Sequence, residues 1–398
     1  MTDWTGRLDS LLGELDAQLR GAASAVRRAF DAAPHELLLY RGYGNATVAW
    51  VHGRAVERRG VDPSSDSDST LRNLLNTYRR VDSDSLGGAR LALRVRGSMT
   101  PMVADNEGFF GGRVVAPAGN GADEWQSFEA ELLLPTSPGG TPVTALGQFL
   151  VPPPGARFGV ISDIDDTVIQ SQVSNFLQAA RTVVLGNART RLPFPGVAGF
   201  YRALRDGSTG EERNPVFYVS SSPWNIYDVI TEFMELQGIP LGPVLLRDWD
   251  VTFGALAARR HFEHKTAAIR DILGMYPALS FILIGDTTQH DPEIYSQVVR
   301  DFPGRIRAIY IRDVTRTADR TARVQALAAE VLAARSSLVL AEDTLGAARH
   351  AVEQGWIRAE SLADVQEEKR ADTGQSAEKV ATPDGGETGT GKAPTVIE

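Results

Sequence analysis

Hydrophobic and polar positions follow two rhythms along this chain, and the change between them near residue 153 divides it. Up to that point, short runs rich in β-branched and aliphatic residues cover 36–40, 46–52, 90–96, 112–115 and 127–134, separated by Gly, Pro, Ser and Asp clusters. Runs of this length broken by turn residues predict antiparallel strands, and hence a β-sandwich accessory domain over 34–152. Beyond it, almost continuous apolar runs at 158–162, 216–220, 243–247, 280–285 and 306–311 alternate with helical patterns at 197–205, 226–237 and 266–275. Strands apolar on both faces belong inside a parallel sheet, and the alternation predicts an α/β domain over 153–315 with helices on both faces. In such a sheet ligands gather at the carboxyl ends of the strands.

The flanks read differently. Trp4, Leu8, Leu11, Leu12, Leu15 and Leu19 recur at helical spacing, predicting an amphipathic helix within 1–33 that packs on the sandwich or on a partner helix, with insertion into a membrane surface as the alternative, disfavoured by the acids on its polar face. Helical patterns return at 317–335 and 344–354, giving C-terminal helices over 316–365. From 366 to 398 the chain is rich in Glu, Lys, Gly, Thr and Pro with few aliphatics, and is expected to be a disordered tail.

Composition narrows the setting. The 398 residues contain no cysteine and carry a formal net charge of −9. That combination suits two ordinary domains without a disulfide framework, and it argues against nucleic acid as the main partner. No apolar run approaches the roughly 20 residues of a membrane span, and no basic leader precedes an apolar core. The expectation is a cytoplasmic protein, reaching a membrane only peripherally. Oligomeric state is left open.

Candidate chemistry concentrates at the ends of the apolar runs. Asp163-Ile164-Asp165-Asp166-Thr167 follows the first. Three carboxylates in four positions repel one another and gain nothing from burial, so a fold tolerates them where a cation or a reaction uses them. In extended backbone Asp163 and Asp165 share a face while Ile164 anchors beneath; one acid can attack phosphorus and the other can shuttle a proton. Hard oxygen ligands in a chain without cysteine favour Mg²⁺. The second run ends in Ser220-Ser221-Ser222-Pro223-Trp224-Asn225, where hydroxyls and amides can hold a phosphoryl oxygen. The fourth ends in Gly285-Asp286 and continues to Asp291, repeating the acid-after-strand pattern. Lys265 is singled out by usage, because the other lysines, Lys369, Lys379 and Lys392, all fall in the polar C-terminal stretch while arginine supplies the remaining positive charge. A compact point charge is wanted there rather than a planar fork.

This set of acids after a strand, serine after the next, a lysine at a helix start and Gly-Asp followed by Asp resembles the four motifs of the haloacid dehalogenase phosphatase superfamily. Finer wording, including Ser222-Pro223-Trp224-Asn225, Leu246-Arg247-Asp248-Trp249 and Gln289-His290-Asp291-Pro292-Glu293-Ile294-Tyr295, is similar to the actin patch protein family of phosphatidate phosphatases. The resemblance implies a haloacid-dehalogenase-like Rossmannoid sheet. Asp163 would be the nucleophile that forms an aspartyl phosphate, and Asp165 the general acid and then base. Mg²⁺ would be held by the Asp163 carboxylate, the Asp165 main-chain carbonyl, Asp286 and Asp291. Lys265 and Ser220 would complete the catalytic set, with Thr167, Ser221 and Asn225 on the substrate side. Asp166 stays outside that set. More weakly, Asp105, Gly108 and Phe110 resemble the hairpin of transthyretin-like sandwiches, in which acid and glycine make the turn and the aromatic enters the core.

Spacing limits the lid. Between Ser220 and Lys265 there is room for little beyond helix, strand and helix, and a helical insert over 173–185 allows only a small cap. An open site suits a phosphate displayed on something bulky. The expected function is a Mg²⁺-dependent phosphomonoester hydrolase, with phosphatidate, a membrane lipid reached peripherally, as the substrate. The alternatives are a phosphatase of protein or nucleic-acid ends using the same residues, and a non-catalytic lipid or cytoskeletal adaptor. The accessory domain either braces the catalytic unit or contacts lipid or a partner.

Overall fold

The computed structural model describes residues 34–57, 85–119, 123–137, 140–169, 194–247, 255–314, 317–380 and 395–396. The expected N-terminal helix, the small cap at 173–185, the Asp248-Trp249 part of one motif and, apart from 395–396, the tail beyond 380 lie outside these residues. The described chain is α/β, with two seven-stranded sheets.

The first sheet contains β1 (His35–Gly44), β2 (Val48–Glu57), β3 (Arg90–Val95), β4 (Ser98–Val103), β5 (Phe109–Val115), β6 (Trp125–Leu134) and β7 (Val143–Leu150) in the order β4-β3-β6-β7-β1-β2-β5. Where a two-sheet sandwich was expected, the strands form one mixed, nearly closed sheet. A short parallel pairing of Gly42 and Tyr43 with Phe149 and Leu150 joins two antiparallel groups. A bulge between Tyr40 and Tyr43 bends β1 at that joint. Alternate residues such as Ala49, Val51, Leu91, Leu93, Phe110, Phe128 and Phe149 fill the core between the groups. Two strands escaped the sequence reading: β4 contains Pro101, tolerated because β4 is an edge strand, and β7 alternates apolar with small or polar residues. The turn before β5 forms as expected. Asp105 Oδ1 accepts from the Glu107 and Phe109 amides at 2.8 and 2.9 Å, Gly108 takes φ 79°, and Phe110 is buried.

The second sheet holds β8 (Gly159–Ser162), β9 (Val216–Pro223), β10 (Val244–Arg247), β11 (Phe281–Asp286), β12 (Ile306–Arg312) and β13 (Ser337–Ala341), all parallel, in the order β10-β9-β8-β11-β12-β13, with the two-residue β14 (Thr395–Val396) antiparallel at the edge. Helices α1 (Val197–Asp206), α2 (Tyr227–Leu236), α3 (Ala255–Met275), α4 (Asp291–Asp301), α5 (Ala318–Ala333), α6 (Thr344–Glu353) and α7 (Ser361–Val380) connect or flank the strands. Period-two burial assigns the faces. Val160, Tyr218, Ile282, Ile284 and Tyr310 pack with α1, α2 and α6, whereas Ile161, Phe217, Leu283, Ile309 and Ile311 pack with α3, α4 and α5. The chain enters at β8, adds β9 on one side and later β11 on the other. The carboxyl end of β8 is therefore the point where strand order reverses and a crevice opens.

Three expectations need correction. Lys265 lies in the middle of α3, not at a helix start, because the helix begins ten residues earlier at Ala255. Residues 337–341 form a buried strand that had been passed over between two helical patterns. The tail expected to be disordered from 366 continues α7 as far as Val380. Polar contacts hold it there: Glu368 pairs with Arg202, Lys369 Nζ lies 2.5 Å from Asp343, and Asp372 accepts from the Gly196 amide at 2.9 Å. Few aliphatics signalled disorder, but charged anchors on α1 and beside α6 replace them.

The accessory sheet meets the α/β unit through aromatic rings. Tyr40 stacks on Trp224 and tilts against Tyr227, both at 4.6 Å between centroids, and His52 sits 4.4 Å from Trp224. The Arg41 amide donates to the Tyr227 hydroxyl at 2.8 Å. Since Trp224 follows directly on the serine-rich end of β9, this contact braces one wall of the crevice.

Candidate active site

The loop leaving β8 turns back at once. The Val168 and Ile169 amides both donate to the Ile164 carbonyl, at 2.9 and 3.0 Å, and Asp166 adopts φ 56°. Ile164 is buried in the core, as its place between two acids requires. Asp163 is held by its backbone: its amide donates to Ile284 O at 2.9 Å, and its carbonyl accepts from Ser162 Oγ at 2.6 Å, which in turn contacts the Tyr201 hydroxyl at 2.6 Å.

Acids from two strands converge here. Asp163, Asp286 and Asp291 are buried, with one carboxylate oxygen of each within 4.8 Å of the others. Gly285 is required for this approach, because a Cβ there would stand 2.4 Å from Asp291 Oδ2. Into the cluster α3 sends Lys265, whose Nζ lies 2.9 Å from Asp163 Oδ1 and 2.6 Å from Asp291 Oδ1, and donates to Gln289 Oε1 at 3.1 Å. Asp286 Oδ1 accepts from the Thr288 amide at 2.5 Å and from the Thr288 hydroxyl, and Thr167 Oγ1 reaches Asp286 Oδ2 at 3.4 Å. Asp163 is different. Apart from the ammonium beside it, neither of its oxygens accepts an aligned hydrogen bond among the described residues.

Asp165 faces the neighbouring strand. Its Oδ2 accepts from Ser220 Oγ at 2.8 Å and Ser222 Oγ at 3.3 Å, and the Ser222 amide donates back to Ser220 Oγ at 3.0 Å. The Asp165 carboxylate is thus committed to the serine turn rather than to the acid cluster. Ser221 lies in the same strand end and Asn225 in the short 3₁₀ turn after it. Of the residues expected at the site, Asp163, Thr167, Lys265, Asp286 and Asp291 are joined by direct contacts, Asp165 and Ser220 form a second contact pair one loop position away, and Ser221 and Asn225 line the adjoining turn. Sequence reasoning missed Ser222, Thr288, Gln289 and Tyr201. Ser222 and Gln289 stood inside quoted motifs and Thr288 between Asp286 and Asp291, whereas nothing about a tyrosine within a helix pattern marked Tyr201.

The electrostatics follow from burial and charge count. Burial pushes Asp163 well above the usual carboxylate range; Lys265 opposes the shift, and Asp291, Asp286 and Asp165 reinforce it. Burial, then the charge of Asp291, raises Asp286 to about 6. Asp165 is raised by burial against the hydrogen bonds of Ser220 and Ser222. Burial alone would lower Lys265, but Asp163 and Asp291 outweigh it and keep the ammonium charged. One ammonium faces three buried carboxylates, an arrangement short of positive charge. Orphaned oxygens on Asp163 and an all-oxygen donor set fit a hard divalent cation such as Mg²⁺.

The described chain thus holds a parallel α/β domain with a buried carboxylate–ammonium centre at its switch point, the place where ligands of such sheets gather. Residues 158–313, which contain every expected site residue, match the family model for the catalytic domain of phosphatidate phosphatase APP1. Phosphatidate phosphatase APP1 of Saccharomyces cerevisiae is 32% identical over 155 residues, covering 39% of this chain and 25% of the yeast protein. An uncharacterized protein of Schizosaccharomyces pombe is 29% identical over 160 residues, with the same coverage. The chain thus spans about a quarter of the length of the curated relatives it matches. Among solved structures, a carbohydrate acetylesterase from Xanthomonas citri is 15% identical, covering 69% of this chain and 68% of its own, with a TM-score of 0.24, and carries no argument about fold or function.

Proposed function

We propose that the chain is a Mg²⁺-dependent phosphomonoester hydrolase of the haloacid dehalogenase type that converts phosphatidate to diacylglycerol through an aspartyl phosphate on Asp163. One observation carries the reading: a fully buried carboxylate with no aligned donor, beside an ammonium and two further acids, and within one loop of a second acid held by two serines. A structural ion pair needs no surplus of acids. The match of residues 158–313 to the APP1 catalytic domain supports the substrate class.

Asp163 attacks phosphorus in line, forming an O–P bond as the ester O–P bond breaks. Asp165 gives its proton to the departing alkoxide, a role its raised affinity for protons suits. A protonated Asp165 can itself donate, so the Ser220 hydroxyl is released from it and turns to a phosphoryl oxygen. Water then attacks phosphorus, Asp165 takes its proton, and the Asp163 carboxylate leaves. Lys265 favours the ionised form of Asp163 against burial and the neighbouring acids, and neutralises charge on the transferring group. A divalent cation held by Asp163, Asp286, Asp291 and the Asp165 carbonyl would supply the remaining positive charge.

Among the described residues no helix is long and apolar enough to cross a membrane, so the lipid would be met from outside the bilayer. Phosphate release from mixed-micelle phosphatidate, lysophosphatidate, phosphopeptides and 3′-phosphorylated oligonucleotides, each with Mg²⁺ or EDTA, tests the proposal. Hydrolysis confined to the lipids and abolished by EDTA is expected. Activity only on peptides or oligonucleotides would move the chain to another substrate class, and inactivity on every ester would favour an adaptor.

A further inference from the structure

Asp286 and Asp291 stand at the two ends of one short loop, and that loop is gripped from outside. Arg320, in the first turn of α5, is largely buried and belongs to a part of the chain beyond the matched segment. Its Nε donates to Thr287 O at 3.0 Å, and one terminal nitrogen donates to Gln289 O at 2.6 Å and to Glu293 Oε2 at 3.0 Å. The other terminal nitrogen pairs with Glu293 Oε1, so Glu293, two residues into α4 after Asp291, anchors the fork.

A trans peptide points its C=O and N–H in opposite directions. Fixing the Thr287 carbonyl outward on Arg320 therefore turns the Thr288 N–H inward, onto Asp286 Oδ1 at 2.5 Å. Fixing Gln289 O holds the residue whose amide reaches Asp286 Oδ1 at 3.3 Å and whose side chain accepts from Lys265 at 3.1 Å. One guanidinium thus sets both the rotamer of Asp286 and the outer partner of Lys265 while touching neither.

We infer that Arg320 is a positioning residue for the acid cluster, and that α5 is part of the catalytic frame although it lies outside the family-matched region. The inference rests on the proposed divalent-dependent function. Lysine cannot substitute, since a point charge cannot meet two carbonyls and both oxygens of Glu293 in one plane.

The test compares the full chain with Arg320→Lys, Arg320→Ala, Glu293→Gln and Arg300→Ala. Arg300 pairs with Glu330 at 2.7 Å, joining α4 to α5 without touching the loop, and so controls for simple helix packing. Mg²⁺ binding is read by titration calorimetry, and kcat and KM by phosphate release. Both Arg320 variants and Glu293→Gln should bind Mg²⁺ about 10–100-fold more weakly, with kcat reduced at fixed Mg²⁺, recovering as Mg²⁺ is raised, and KM for the lipid unchanged; Arg300→Ala should match wild type. Wild-type Mg²⁺ affinity in the Arg320 variants, or equal weakening in Arg300→Ala, would overturn the assignment while leaving the function intact. A wild-type chain that neither binds Mg²⁺ nor hydrolyses any ester would remove the reading beneath it as well. Should Arg320→Ala not fold, Arg320→Lys and Glu293→Gln decide the matter.

Discussion

Replacing Asp163 with asparagine removes one charge and almost no volume from a fully buried position, so its effect on stability is set by electrostatics. At an effective dielectric constant of about 20, the Lys265 ammonium at 2.9 Å attracts the carboxylate by about 6 kcal/mol. Asp286 and Asp291, with ligand oxygens within 4.8 Å, each repel it by about 3.5 kcal/mol or more. Attraction and repulsion nearly cancel. What decides the sign is the cost of keeping an ion without aligned hydrogen bonds out of water, several kcal/mol. Lys265 keeps Asp291 as a partner in the variant, so no cation is stranded. Asp163→Asn should therefore be the more stable protein in EDTA, by about 2 kcal/mol, which raises Tm by about 5 °C at roughly 2–4 °C per kcal/mol. Turnover should fall by on the order of 10⁴ or more, the loss expected when a nucleophile is removed. Thermal unfolding with and without Mg²⁺, alongside phosphate release, makes the measurement. Wild type should gain stability from Mg²⁺ and the variant much less. A lower Tm for the variant in EDTA would show that the ion pair dominates and that the cluster is structural; wild-type-like turnover would exclude Asp163 as nucleophile.

Other outcomes follow from the same geometry. Because Asp286 titrates near 6, protons compete with a cation below that value: Mg²⁺ affinity should weaken by about tenfold per unit as pH falls through 6, measured by calorimetry at stepped pH. The sign for stability is opposite, since a carboxylate whose folded pKa is raised contributes stability below its unfolded value of about 4 that is lost as pH rises through about 6; the EDTA-treated protein should melt lower at pH 7 than at pH 5 if this group dominates. Ser220→Ala removes a donor to ionised Asp165, so Asp165 should titrate higher and the alkaline limb of the kcat/KM profile, which reports the general acid, should move up in pH; an unmoved limb would detach Ser220 from Asp165. Tyr40→Ala deletes a ring stacked on Trp224 and Tyr227 and should cost about 3–5 kcal/mol in urea unfolding, with kcat falling as the β9 wall loosens.

Much of the site was legible in one dimension because its chemistry is written at strand ends. An apolar run followed at once by Asp163-Ile164-Asp165, or by Gly285-Asp286, contradicts burial unless charge is wanted there, and that contradiction is visible without coordinates. The same rule located the six-strand parallel alternation except β13, whose five residues sit between two stronger helical patterns. The accessory strands were found where β-branched residues dominate and lost where Pro101 or the small residues of β7 interrupt them.

Sequence alone determined which residue types could do the chemistry and the strand ends that carry them: the acids, the serine turn and the isolated Lys265. Tertiary structure alone decided that Lys265 enters from mid-helix, that Asp165 turns to Ser220 while Asp163 faces the ammonium, that Trp224 is braced by Tyr40, and that Arg320 sets the Thr287–Gln289 loop from a helix beyond the matched segment. The reason is physical. Local periodicity records whether a position is buried, but partnerships between side chains distant along the chain depend on the order in which strands join the sheet, and that order is fixed only when both faces are packed.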